Sequence, residues 1–163
     1  MFRSRFLSAI VSVAAASIAA AGNPPPNSAA ASPAATYAPS FGDLMTMAVQ
    51  PRHTKLGLAG EARNWTYATY ELNELRNAFA RIARTIPIYR TANTAALFAA
   101  MTQAPLTAVS GAITARDAPR FRTAYTQLTA ACNACHVSLD HSAIIIRVPS
   151  RAAFPDQSFE TAP

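Results

Sequence analysis

Phe121–His136 reads FRTAYTQLTAACNACH. Its residues Phe121, Tyr125, Leu128, Cys132 and Cys135 stand at intervals of four, three, four and three. That is the period of one face of an α-helix. Both cysteines therefore sit on the apolar stripe of a helix, one turn apart. They are the only cysteines in the chain, and His136 follows the second directly. Upstream, Asp117 offers a capping acceptor and Pro119 a first-turn proline, so this helix starts there.

Three further stretches carry the same signature. One begins at Ser40, which with Asp43 forms a capping-box pattern. It runs through Leu44, Met45, Met47, Val49 and Leu56 and is expected to stop near Gly60. Pro51 cannot donate to the Met47 carbonyl, so a kink is expected there, or two short helices meeting at Pro51. The next stretch starts at Asn64 and shows Trp65, Leu72, Leu75, Phe79, Ile82 and Ile86 on one side. Glu71, Glu74, Arg76, Arg81 and Arg84 take its other faces, and Pro87 ends it. A third spans about Thr94 to Ala115 with Leu97, Met101, Val109 and Ile113, and Pro105 is expected to kink it. No strand alternation shows between residues 40 and 141. The chain has 163 residues, of which 51% are apolar and 13% charged. Length and pattern together predict one all-α domain, an antiparallel four-helix bundle over residues 40–141.

The flanks read differently. Residues 1–21 combine Arg3 and Arg5, an apolar run and an Ala19-x-Ala21 site, the form of a secretory signal peptide. The alternative is an uncleaved membrane anchor, for which the run is short. Residues 22–39 are rich in Pro, Ala and Ser and read as an extended, disordered linker. Residues 142–163 form an irregular C-terminal extension with the Ile-rich run Ala143–Pro149. So apolar a run rarely lies free in water. It packs over the helices or pairs with another chain, and the residues alone do not choose.

C-x-x-C-H is the attachment signature of c-type haem. Thiols at i and i+3 project to one side of a helix and can reach the two vinyl groups of one porphyrin edge. The following imidazole, His136, becomes the proximal iron ligand. Other readings of the pair are a structural disulfide, a thioredoxin-like redox couple and a zinc site. The redox couple needs a βαβ setting, and the zinc site lacks a fourth ligand. Export fits haem, because thiol attachment takes place outside the cytosol.

With LMTMAVQPRHTKLGLAGEARNW early, an ELNEL-type second helix and AYTQLTAACNACH late, the chain resembles the class II c-type cytochromes. These are the cytochrome c-prime-like four-helix bundles with haem near the C-terminus. The resemblance covers about Ser40 to Leu139, and the Ile-rich tail departs from it. It implies one covalent haem c with its iron, held by Cys132, Cys135 and His136. It also implies that the distal face of the iron looks onto the first helix, where low-spin members carry a methionine. Aligned on LMTMAVQPRH, that position is Met45. Met47 is the alternate, since residues two apart on a helix face different ways. His53 is a third candidate. Met101 is expected in packing and His141 in solvent.

A methionine ligand implies a periplasmic monohaem electron-transfer protein. An empty sixth position implies the alternative, a five-coordinate high-spin protein binding nitric oxide or carbon monoxide. Family bundles pair through their first two helices, which allows a homodimer. The partners implied are the haem-attachment machinery and a periplasmic redox protein. A membrane partner follows only if the N-terminal segment stays uncleaved. Arg52, Arg120 and Arg122 are candidates for the haem propionates, and Trp65 and Tyr67 for its surroundings. The formal charge is +6, or +4 without Arg3 and Arg5. That is too small and scattered for nucleic-acid binding. No carboxylate pair and no nucleophile with a base argue for an enzyme.

Overall fold

The computed structural model describes residues 37–150 and 154–161. The signal-peptide segment, and all of the linker but its last three positions, lie outside the described residues. The chain divides after Tyr37, and the second unit, Ala38–Pro163, holds the helices and the C-terminal extension together.

That unit is mostly helical among the described residues. Its elements are α1 (Phe41–Leu44), a π-helical turn (Met45–Val49), α2 (Gln50–Glu61), α3 (Trp65–Thr85), α4 (Thr94–Thr114) and α5 (Ala118–Ser138). The caps fall where side-chain chemistry predicts. Ser40 and Asp43 exchange both capping-box hydrogen bonds, at 3.1 and 2.9 Å. Asn64 accepts from the Tyr67 amide and Asp117 from the Arg120 amide. Each satisfies an amide that the first helical turn leaves without a partner.

Two details differ from expectation, the turn ahead of Pro51 and the connection of α3 to α4. The discontinuity near Pro51 is a π turn just ahead of the proline, with the Gln50 amide bonded to the Met45 carbonyl five residues back. The wider turn lies where the pyrrolidine ring would otherwise press on the Met47 carbonyl. Pro105 stands inside α4, which runs on through it. A short antiparallel hairpin, β1 (Ile88–Tyr89) with β2 (Ala92–Asn93), joins α3 to α4. Strands of two residues are too short to show alternation in sequence. Helix α2 stops beside Gly60, at Glu61, as expected.

The role of Gly60 is close approach. A Cβ there would lie 2.0 Å from the Phe121 ring of α5. At Gly57 a Cβ would lie 2.6 Å from the Tyr125 ring and 2.8 Å from Pro149. These two glycines let α2 lie directly against the aromatic residues of α5. Further contacts join α2 to α3, α3 to α4 and α4 to α5. The core formed between them includes Leu56, Leu72, Leu75, Ile82, Val109, Phe121 and Leu128.

Two faces are shifted from the apolar pattern. On α4 the buried positions include Phe98, Thr102 and Leu106, while Leu97 and Met101 are only half-buried. The Thr102 hydroxyl donates to the Phe98 carbonyl at 2.7 Å, so this polar residue is buried with its hydrogen bond made. On α3, Glu71 is fully buried. Arg52 of α2 donates to both its oxygens, at 3.3 and 3.2 Å, which offsets the desolvation of the carboxylate. Helix α4 is long and apolar enough to cross a membrane. Its stripe of Phe98, Leu106, Val109 and Ile113 is buried in the core.

The Ile-rich tail packs on its own chain. Ile146 pairs with Asn133 of α5, Pro149 reaches Gly57, and the Lys55 ammonium lies 4.5 Å from the centre of the Phe154 ring. Near its end, Phe159 is buried, the Gln157 amide donates to the Tyr67 hydroxyl, and the Asn64 amide donates to the Glu160 carbonyl at 3.1 Å.

The glycine contacts give a direct test. Gly60→Ala is expected to destabilise the fold by about 1–3 kcal/mol through overpacking against Phe121. Gly42→Ala, whose Cβ would meet nothing closer than 3.8 Å, is expected to be neutral or mildly stabilising. Urea unfolding of the two variants separates these outcomes, and equal midpoints would contradict the packing described.

Candidate functional site

Cys132 and Cys135 lie on one face of α5 and open into one cavity. The first is half-buried, the second buried, and both are free thiols. His136 lines the same cavity, as do Leu139 of α5, Phe79 of α3, and Phe98 and Thr102 of α4. The opposite wall comes from α1 and the π turn: Phe41, Gly42, Met45, Thr46 and Val49, followed by Gln50 and His53 of α2. Ile144 and Ile146 of the tail complete the lining. Apart from the thiols, imidazoles, Met45, two threonines and Gln50, the walls are hydrocarbon.

His136 has a defined orientation. Its Nδ1 lies 2.8 Å from the Ile144 carbonyl oxygen. A carbonyl only accepts, so Nδ1 carries a proton, and in the neutral ring the lone pair is then on Nε2. This is the tautomer of an imidazole ready to bind a metal through Nε2. Asn133, between the cysteines, holds the same tail. Its Oδ1 accepts from the Ile146 amide at 2.7 Å and its Nδ2 donates to the Ile146 carbonyl at 2.9 Å. Sequence reasoning missed Asn133, because the intervening positions of C-x-x-C-H have no required chemistry. The one available signal was its side-chain amide, which carries a donor and an acceptor like a peptide group.

Met45 is half-buried on the cavity wall, at the first position of the π turn. Met47 is 59% exposed and absent from the lining. Of the two first-helix methionines, then, only Met45 shares a cavity with the cysteines and His136.

His53 is buried, with both ring nitrogens engaged. Nε2 lies 3.0 Å from the Thr129 hydroxyl and Nδ1 3.0 Å from the Tyr125 hydroxyl. Thr129 donates to the Tyr125 carbonyl at 3.0 Å and so accepts from Nε2–H, while the single hydroxyl proton of Tyr125 is shared between Nδ1 and the His53 carbonyl at 2.7 Å. A histidine held at both nitrogens has no lone pair free for a ligand, so His53 acts as a polar joint between α2 and α5.

The remaining candidates lie elsewhere. Arg52 pairs with Glu71, and Arg122 donates to Glu61 at 3.0 Å. Arg120 packs along α4 near Gly111. None of the three arginines lines the cavity. Trp65 packs edge-on to Phe121 and Tyr67 stacks on Tyr70. His141 is not solvent-facing as expected. It is half-buried, with Nε2 3.0 Å from the Tyr89 hydroxyl of the hairpin.

The thiols are poorly suited to exchange chemistry. Burial, with the neighbouring Cys135 second, pushes Cys132 up to about 11. Burial also raises Cys135. The reactive species in disulfide exchange is the thiolate, and redox cysteines lower their pKa to reach it. Among the described residues, no group of three or more His, Cys, Asp or Glu converges as a site for a bare ion. A porphyrin brings four nitrogens of its own and asks the chain only for axial donors. Two thiols on one turn, an imidazole with Nε2 free, a thioether and apolar walls are a donor set that fits it.

No protein-family model matches the chain, and neither a curated protein nor a solved structure does. The likeness to class II cytochromes therefore rests on the residues quoted above.

His53 generates a pH prediction. Burial pushes it down to about 4 from 6.5. The folded chain keeps this imidazole neutral where the unfolded chain protonates it. Its contribution is therefore full above pH 6.5, falls as pH drops toward 4, and changes no further below. The loss is about 3 kcal/mol. Urea unfolding at several pH values is expected to show a steeper acid loss in the wild type than in His53→Gln. Equal slopes between pH 6.5 and 4 would contradict the burial of a neutral histidine.

Proposed function

We propose that this chain is an exported, periplasmic monohaem cytochrome c that carries electrons and catalyses no substrate reaction of its own. In this reading the helices form an antiparallel four-helix bundle of the class II type. One haem c is bound through thioethers to Cys132 and Cys135, with His136 below the iron and Met45 above. The observation that carries the reading is the meeting of these four side chains on one apolar cavity, drawn from chain positions nearly ninety residues apart.

When bound, haem supplies an iron that exchanges one electron between ferric and ferrous states. The chain's residues set how readily it does so. His136 presents Nε2, because Nδ1 is held by the Ile144 carbonyl. The Met45 sulfur, as second axial donor, favours the ferrous state relative to a second imidazole. Phe41, Phe79, Phe98, Ile144 and Ile146 keep water away, which disfavours the extra charge of ferric iron and raises the potential. The thiols serve as attachment points. Partners in this reading are the haem-attachment machinery and a periplasmic redox protein, which the mild positive charge attracts if its surface is acidic.

The optical spectrum of the purified protein tests the axial pair. The oxidised protein is expected to show the weak red-region band of sulfur-to-iron ligation, and the reduced wild type is expected not to bind carbon monoxide readily. Met45→Ala is expected to lose the band and to bind carbon monoxide, while Met47→Ala leaves both unchanged. A high-spin ferric spectrum in the wild type, with ready carbon monoxide binding, would assign the chain to gas binding instead.

A further inference from the structure

The Ile-rich tail is the part of the chain that the class II resemblance does not cover, yet it reaches the attachment motif itself. Asn133 and His136 stand three residues apart on α5 and so share a face. Each bonds the backbone of the tail, Asn133 at Ile146 and His136 at Ile144. In extended chain, residues two apart point the same way. Ile144 and Ile146 line the cavity and Ile145 does not, although Ile144 is itself 54% exposed beside Ile145 at 66%. The two bonds from Asn133 to one residue copy the way a strand residue pairs with its neighbour. That doubly bonded contact sets where the Ile144 carbonyl lies.

We propose that Asn133 is a positioning residue for the axial imidazole. By pinning Ile146, it presents the Ile144 carbonyl to Nδ1 of His136 and thereby selects the tautomer and ring orientation of the iron ligand. This inference rests on the haem reading above and adds a control that the C-x-x-C-H motif alone does not contain. An imidazole whose second nitrogen donates to a carbonyl is a stronger electron donor. It favours ferric iron and lowers the potential, opposing the Met45 sulfur and the apolar walls. The tail is thus a strap that closes the cavity with two isoleucines and tunes the ligand with one carbonyl.

The test uses haem-loaded protein and two variants, Asn133→Ala and Asn133→Asp. The second keeps an acceptor for the Ile146 amide and loses the donor to its carbonyl. Two quantities are read: the midpoint potential, and hydrogen exchange at the Ile146 amide, with circular dichroism to confirm that the helices remain. In Asn133→Ala the Ile146 amide is expected to lose at least about tenfold in protection, as a released local contact does, and the potential to rise. Asn133→Asp is expected to fall between wild type and Ala in Ile146 protection, and the potential is compared for Asn133→Ala alone, because a carboxylate here would also lower it through its charge. Unchanged Ile146 protection in Asn133→Ala would overturn the pin. Lost protection with a wild-type potential would overturn the control of the imidazole. A wild type without a Soret band would be a different failure, that of the haem reading, and would take the iron-directed half of this inference with it.

Discussion

The site depends on one constraint, that positions i and i+3 of an α-helix face the same way. On α5 this register is used twice. It turns Cys132 and Cys135 into one cavity, and it turns Asn133 and His136 onto one tail segment. The first pairing offers two sulfurs to one edge of a flat group. The second holds the imidazole that would sit beneath it. Were α5 to bend or slip within this turn, the thiols would separate and the Ile144 carbonyl would lose its nitrogen.

The remaining structure keeps α5 in place and supplies the facing wall. Helix α2 packs tightly on it because Gly57 and Gly60 carry no side chain. The joint is completed by polar atoms. Tyr125 and Thr129 of α5 close both nitrogens of His53, so the buried histidine is satisfied without a charge. One turn N-terminal to His53 stands the π turn, and Met45 opens it. Pi-helical turns gather at functional sites because they re-aim side chains that a regular helix would point elsewhere. Here the turn coincides with the one first-helix methionine that shares a cavity with His136.

Much of this was legible in the residues. Helix starts followed from Ser40, Asn64 and Asp117, whose side chains have one obvious use. That Cys132, Cys135 and His136 belong together followed from an uncommon spacing, and the preference for Met45 over Met47 from the resemblance; of the two methionines, Met45 lines the cavity. What was not legible depends on partners far along the chain. Glu71 looked like a surface residue because Arg52, which makes its burial tolerable, lies nineteen residues away. Thr102 is the exception, a local case, its buried hydroxyl satisfied by the Phe98 carbonyl one turn back. Asn133 looked like filler, because the tail residue it pairs with lies thirteen positions on. The choice between a tail packed on its own helices and one paired with another chain was open for the same reason.

The central claim is that two sulfurs of α5 carry a porphyrin. Intact-mass measurement of the exported protein after acid–acetone extraction, which strips haem that is not covalently held, tests it most directly. The account predicts that the wild-type chain keeps the added mass of one haem, and that Cys132→Ser with Cys135→Ser removes it. A wild-type chain recovered at the bare polypeptide mass would contradict the account.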